Sequence, residues 1–163
     1  MHCAGYVKLE SGTFVGGPDI EIILTYRTQL SHGLLLFAFG GTGTYFMLQL
    51  QDGSLLWEMS INGEEYWFKQ PMSNTSSMCD GQWHAVTLAR QGTQMKVTVD
   101  TLPYVSVGDP TQPVDGIAIS SYLYLGGIPD DDSEAVEFIR RNHLDQQIQH
   151  SQSLLFIFQL LFV

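Results

Sequence analysis

Two dipeptides, Asp52-Gly53 and Asn62-Gly63, constrain this chain more than any other feature, because each stands between runs of alternating apolar and polar residues. Asp-Gly and Asn-Gly tolerate the positive φ that a two-residue hairpin turn requires when its twist must match the flanking strands. Tyr45 to Gln51, Leu55 to Ile61 and Glu65 to Lys69 therefore read as three strands of an antiparallel meander. Successive side chains of a strand point to opposite sides, so Trp57 shares a face with Leu55, Met59 and Ile61 and reads as core. Tyr66, Trp67 and Phe68 are consecutive, so at least one must face away from the others. We read that face as covered by a second layer rather than as an exposed contact patch.

A further hairpin starts at Asp80-Gly81, which launches Trp83 into an alternating strand. His84, Val86 and Leu88 fall on one face of it and Trp83, Ala85 and Thr87 on the other. Gln91-Gly92-Thr93 turns the chain into Met95 to Asp100, where Met95, Val97 and Val99 form a dry side. Upstream, Ile20, Ile22, Leu24 and Tyr26 line one face of a half-buried strand, and Leu34 to Phe39 is apolar on both sides, as in a strand covered on both faces. No helical period intrudes before residue 130. Strands at this spacing imply an all-β, antiparallel jelly-roll β-sandwich, two sheets packed face to face.

These residues resemble the laminin G-like family, whose modules carry a D-G-x-W-H-x-V strand, a V-x-V-D strand and a later L-G-G-x-P. Asp80, Gly81, Trp83 and His84 supply the first, Val97 to Asp100 the second, and Gly126, Gly127 and Pro129 close the third. Tyr6 to Leu9 resembles the module's opening strand, Ile20 to Thr28 its I-x-I-x-x-x-x-R-T strand and Gly33 to Phe37 its central G-L-L-L-F, so the likeness covers residues 5–130. The resemblance implies an extracellular, non-catalytic adhesion module of the matrix or cell surface. Such a module holds protein partners on rim loops, here Gly40 to Thr44, Ser73 to Ser77 and Val107 to Asp115.

The end of the chain departs from that family. Its closing F-x-G-C strand is absent, and residues 131–163 form an atypical tail. Val136, Ile139, Leu144 and Ile148 recur at loose helical spacing, which predicts a helix over 134–150 capped by Asp131 with Glu134. The apolar end, 154–163, is shorter than the about 20 residues a spanning helix needs. It reads as an aggregation hazard or as a substitute strand docking on the sandwich. We expect a truncated or alternatively spliced product in which a missing final strand exposes a sheet edge. The opening Met1 to Gly5 has no basic start and apolar stretch of a secretory signal, so the chain is expected to derive from something longer.

Composition narrows the partners. The chain has 163 residues, enough for one domain with a real core, and 44% are hydrophobic against 15% charged. Seven Lys and Arg against 17 Asp and Glu give a net charge of -10, which repels polyanions and argues against nucleic acid and heparin. Asn74-Thr75-Ser76 is an N-glycosylation pattern in a turn-prone stretch, which makes Asn74 the glycan site if the chain is secreted. Cys3 and Cys79 permit one bridge, whose formation the sequence leaves open.

No cofactor is expected. Some laminin G modules hold calcium with two rim aspartates, but the matching positions here are Thr44 and Ser120-Ser121, leaving Asp109, Asp115 and Asp130 to Asp132 as substitutes. Catalysis finds no support either. The tight carboxylate pair of sandwich glycosidases is missing, Glu58, Glu64 and Glu65 flank a hairpin, and His84 has no nucleophile beside it. A calcium-dependent lectin-like module and a non-functional truncation product are the rival readings.

Overall fold

The computed structural model describes residues 6–10, 19–40, 43–61, 63–70, 77–91, 94–102, 105–107, 119–142, 144 and 157–162. Its strands are β1 (Val7–Glu10), β2 (Asp19–Arg27), β3 (Gly33–Gly40), β4 (Tyr45–Gln51), β5 (Ser54–Ile61), β6 (Glu64–Lys69), β7 (Trp83–Gln91), β8 (Gln94–Val99), β9 (Val105–Val107), β10 (Ile119–Leu125) and β11 (Ile157–Phe162), with one helix, α1 (Ser133–Arg141). They form a six-stranded sheet in the order β1-β10-β3-β4-β5-β6 and a five-stranded sheet in the order β11-β2-β7-β8-β9. Every pairing is antiparallel.

Between the sheets lies one apolar core. Ile22, Leu24 and Tyr26 of β2, Val86 and Leu88 of β7 and Met95, Val97 and Val99 of β8 face Leu36, Ala38, Phe46, Leu48, Trp57 and Met59 of the other sheet. Alternation produces most of this arrangement, since a strand sends every second residue inward; β3 departs from it at Leu35 and Leu36, which both join the core where its register on β4 shifts. Trp57 stacks on Phe46 with ring centroids 5.7 Å apart, so the expected core role of this indole holds.

The Asp52-Gly53 turn joins Gln51 to its partner Ser54, and both turn residues have positive φ, 52° and 74°. A turn of that hand matches the strand twist, and glycine adopts it without a Cβ clash. β3 is buried along its whole length. Its inward residues join the inter-sheet core, while Leu34, Phe37 and Phe39 join Tyr45, Met47 and Tyr124 on the outer face of the six-stranded sheet.

That outer face is covered by α1, which contributes Ala135, Phe138 and Ile139, followed by Leu144. Of the 134–150 expected as helix, 134–141 are helical, and 145–150 lie outside the described residues. Asp132, not Asp131, is the N-cap, accepting from Ala135 N at 3.2 Å. The helix stops where Asn142 turns its own side chain onto Phe138 O at 2.9 Å, and Leu144 N folds back to Ile139 O at 3.0 Å. Val136, one of the apolar positions on which the periodicity rested, is 42% exposed.

β11 lies in the apolar end of the tail and pairs with β2 over six residues, from Ile157 opposite Arg27 to Phe162 opposite Ile22. The β2 edge, which the loss of a final strand would leave open, is therefore occupied by the tail. The apolar end thus docks on the sandwich as a strand of the five-stranded sheet.

Candidate functional site

One rim of the sandwich gathers the connection between β2 and β3, the β4–β5 turn and the segment that leads into β7. Backbone hydrogen bonds cross between them: Gly53 N to Ser31 O at 2.8 Å, Met78 N to Gly53 O at 3.1 Å and Gly81 N to Thr28 O at 2.9 Å. Tyr26, buried at the end of β2, donates its hydroxyl to Met78 O at 3.2 Å. Burial raises its phenol well above the ordinary tyrosine value, with Asp100 and Asp80 adding to the effect, so it stays a neutral donor. Such cross-tied backbone fixes loop positions to the rigid sheets beneath them.

The residues of the Asp-Gly-Gln-Trp-His run explain the tie. Asp80 Oδ1 accepts from Gln82 N at 2.7 Å, an Asx turn that bends the chain into β7. Gly81 has φ 82°, and a Cβ there would meet the Gln29 side chain at 3.2 Å. His84 is buried, with Nε2 3.1 Å from Asp80 Oδ1 and Nδ1 2.9 Å from Asp100 Oδ2. Asp100 also accepts from Ala85 N at 2.8 Å, so the imidazole and two carboxylates lock the turn to the end of β8. The backbone bond from Gln82, followed by the contact with His84, holds the Asp80 carboxyl below its usual value. Both ring nitrogens of His84 are thus engaged by carboxylates. Trp83 points the other way and is 49% exposed, with the Arg27 guanidinium 5.6 Å from its ring centroid.

Gly126, of the Leu-Gly-Gly-Ile-Pro run, adopts φ 78° and donates its N–H to Leu35 O at 3.1 Å, while Pro129 O accepts from Asp132 N at 3.1 Å. This run thus carries the chain from β10 into α1. Asp132 anchors the helix a second time by accepting from Lys8 Nζ at 2.6 Å and from the Tyr124 hydroxyl at 2.8 Å. Burial pushes the Asp132 carboxyl up, but the bonds from Lys8, Tyr124 and Ala135 N outweigh that and hold it below the ordinary value. Lys8 also lies 3.8 Å from the Tyr122 ring centroid.

Sequence reasoning missed a trio at the rim. Ser31 Oγ lies 3.0 Å from His32 Nδ1, and His32 Nε2 lies 2.9 Å from Asp52 Oδ1. Asp52 is 70% exposed in its side chain, so the trio lacks the buried orienting acid that activates a nucleophile, and it serves to tie the turn. The only signal for it was the His at a loop facing an Asp-Gly turn, which has no meaning until β3 and β4 pair.

Of the positions weighed for calcium, Thr44 is 2% exposed and its carbonyl accepts from Gly40 N at 2.7 Å. Asp130 and Asp131 are exposed, Asp132 is committed to the helix, and Asp109 and Asp115 lie outside the described residues, as do the side chains of Ser120 and Ser121. Among the described residues no group of three or more His, Cys, Asp or Glu is arranged to hold a metal ion. Asn74 and Cys3 also lie outside them; among the described residues Cys79 is bridged to no cysteine, and its Sγ lies 3.1 Å from Ser77 Oγ. No helix among the described residues is long and apolar enough to cross a membrane.

The Tyr66-Trp67-Phe68 run resolves differently from its reading. Tyr66 and Phe68 pack toward the inter-sheet core, but Trp67 faces outward and is 66% exposed. Among the described residues, α1 covers the half of the outer face formed by β10, β3 and β4, and β6 is an edge strand without cover. Glu58, expected to be a solvated hairpin charge, is half-buried on that face, and its Oε2 is buried with no hydrogen-bond partner among the described residues. Burial, followed by the nearby Glu65 charge, raises its carboxyl above the ordinary value.

With this geometry in hand, the family model of the laminin G domain matches residues 26–144. The chain belongs to the laminin G domain family. The match runs past the 5–130 of the sequence landmarks and takes in α1. Rat usherin is 33% identical over 127 residues, covering 77% of this chain and 2% of that protein. Mouse laminin subunit alpha-4 is 27% identical over 127 residues, 77% of this chain and 7% of that protein. Domains LG4-5 of the mouse laminin alpha1 chain superpose with a TM-score of 0.73 at 24% identity, covering 96% of this chain and 38% of theirs, a likeness of fold. The chain thus spans a small fraction of the relatives it matches.

Proposed function

We propose that this laminin G domain is a non-catalytic extracellular adhesion module that binds matrix or cell-surface proteins through loops fixed at the rim of the sandwich. The observation that carries the reading is the cross-tied rim. Three loops are held to one another by backbone bonds and to the sheets by the Asp80–His84–Asp100 lock. A pre-ordered surface binds without the entropic cost of ordering its loops on contact. Leu30 stands exposed on this rim and supplies an apolar contact there. The acidic balance favours protein partners over sulfated glycans. If the chain is secreted, Asn74 carries its glycan on the Ser73 to Ser77 loop.

Biolayer interferometry of the whole chain against a panel of purified extracellular-matrix proteins tests this reading. Saturable binding to at least one of them, unaffected by chelator and weakened by Leu30→Ala together with His32→Ala, is the expected result. Failure to bind any, or binding confined to glycans and abolished by chelator, would instead favour a lectin-like module.

A further inference from the structure

The outer face of the six-stranded sheet is divided. Across it, register aligns Tyr124, Phe37, Met47, Glu58 and Trp67 in one row. Phe39, Tyr45, Ser60 and Glu65 form the next. α1 seats Phe138 on the aromatic end of both rows, 4.6 Å from the Phe39 ring centroid and 6.3 Å from that of Tyr45. The acidic end, with Glu58, Glu65 and Trp67, has no cover among the described residues.

We infer that this uncovered half, centred on Trp67 with Glu58 and Glu65 beside it, docks a basic segment of a partner protein, an arginine or lysine side chain lying over the indole. The inference rests on the reading of the chain as a protein-binding module and names the partner's chemistry. Charges on an edge strand commonly serve to block strand addition, which accounts for Glu64, Glu65 and Lys69. It does not account for a tryptophan two-thirds exposed in their midst, beside a half-buried Glu58.

A guanidinium answers the exposed indole and the neighbouring acids together. Its face is attracted to the indole π-system, its N–H groups donate to carboxylates, and its charge relieves the repulsion between Glu58 and Glu65. Lys69, on the same face, is engaged with Gln51 Oε1 at 3.2 Å instead. The net charge of -10 steers such a partner toward the domain. A neutral sugar would also stack on the indole but would leave the paired carboxylates unneutralised, so the basic segment is the better fit.

The test is an amide and indole NMR titration of the whole chain, at physiological ionic strength, with a capped peptide of alternating glycine and arginine. The Trp67 indole N–H and the Glu58 and Glu65 amides should shift while the Trp83 indole stays still. Trp67→Ala should weaken the peptide about two- to five-fold, the range of an exposed cation–π contact, and Trp67→Phe should restore part of the loss. The indole is exposed, so both variants should melt with the parent chain. Shifts spread evenly over acidic residues with Trp67→Ala without effect would overturn the inference. So would equal binding of a glutamate peptide, or response of the same resonances to maltoheptaose but not to the arginine peptide. If a matrix protein binds the chain and Trp67→Ala together with Glu58→Gln leaves its Kd unchanged, the module reading survives and this inference falls.

Discussion

Replacing Phe138 with alanine measures how firmly α1 is held on the sheet. The ring is half-buried, stacked on Phe39 and within 6.3 Å of both Phe37 and Tyr45. Truncating a fully buried phenylalanine costs about 3–5 kcal/mol, so a partly buried one loses roughly 2–3. Alanine returns about 0.5 kcal/mol through its better helix propensity, which leaves a net loss of about 2 kcal/mol. In a chain of this length that lowers Tm by about 4–8 °C. Val136→Ala, on the exposed side of the same helix, removes only two methyl groups that face water and should change stability by less than about 0.5 kcal/mol. Urea melts followed by circular dichroism, with both variants beside the parent chain, give the comparison. If the two substitutions cost the same, α1 does not pack as described and the outer face of the six-stranded sheet is open.

Two further outcomes follow from the anchors and turns. Asp132 has a folded carboxyl below its ordinary value, so its contribution is present above the unfolded carboxylate range and is lost as pH falls through the folded value. Stability measured by urea melts from pH 6 to pH 2 should therefore fall less steeply in Asp132→Asn, which keeps a capping side chain, while Asp132→Ala should cost about 1–2 kcal/mol at neutral pH; parallel curves would count against the Lys8–Asp132–Tyr124 anchor. Gly53→Ala and Gly63→Ala both force a left-handed conformation at about 1–2 kcal/mol, but only at Gly53 does the new Cβ meet a neighbour, Cys79 Sγ at 3.3 Å. Gly53→Ala should be the more damaging in thermal melts, and equal losses would show that the rim around Cys79 is looser than described.

Much of the architecture could be read from residues whose conformational needs are local. Asp52-Gly53 announces its turn because few other pairs accept two positive φ values, and Leu34 to Phe39 announces a two-sided burial because none of its positions is polar. The motif residues Asp80, Gly81 and His84 were legible as scaffold, although their closure required Asp100, sixteen residues further on from His84. What sequence could not show was set by partners distant in the chain. The covering face of α1 is Ala135, Phe138 and Ile139, a stripe that begins with an alanine too small to register as apolar signal. The exposure of Trp67 depends on its place in the edge strand β6, away from the strands that α1 covers, and the partial burial of Glu58 depends on its neighbours across β4 and β6. Neither is a property of the local pattern.

A sandwich whose five-stranded sheet ends in β11 makes β2 an interior strand, and amide hydrogen exchange across Ile22 to Arg27 tests that most directly. An antiparallel strand sends alternate N–H groups to each neighbour, so β7 alone protects every second amide and β7 with β11 protects them consecutively. The account predicts slow exchange at every one of these residues in the whole chain. Protection at alternate residues only would contradict it, leaving β2 as an open edge.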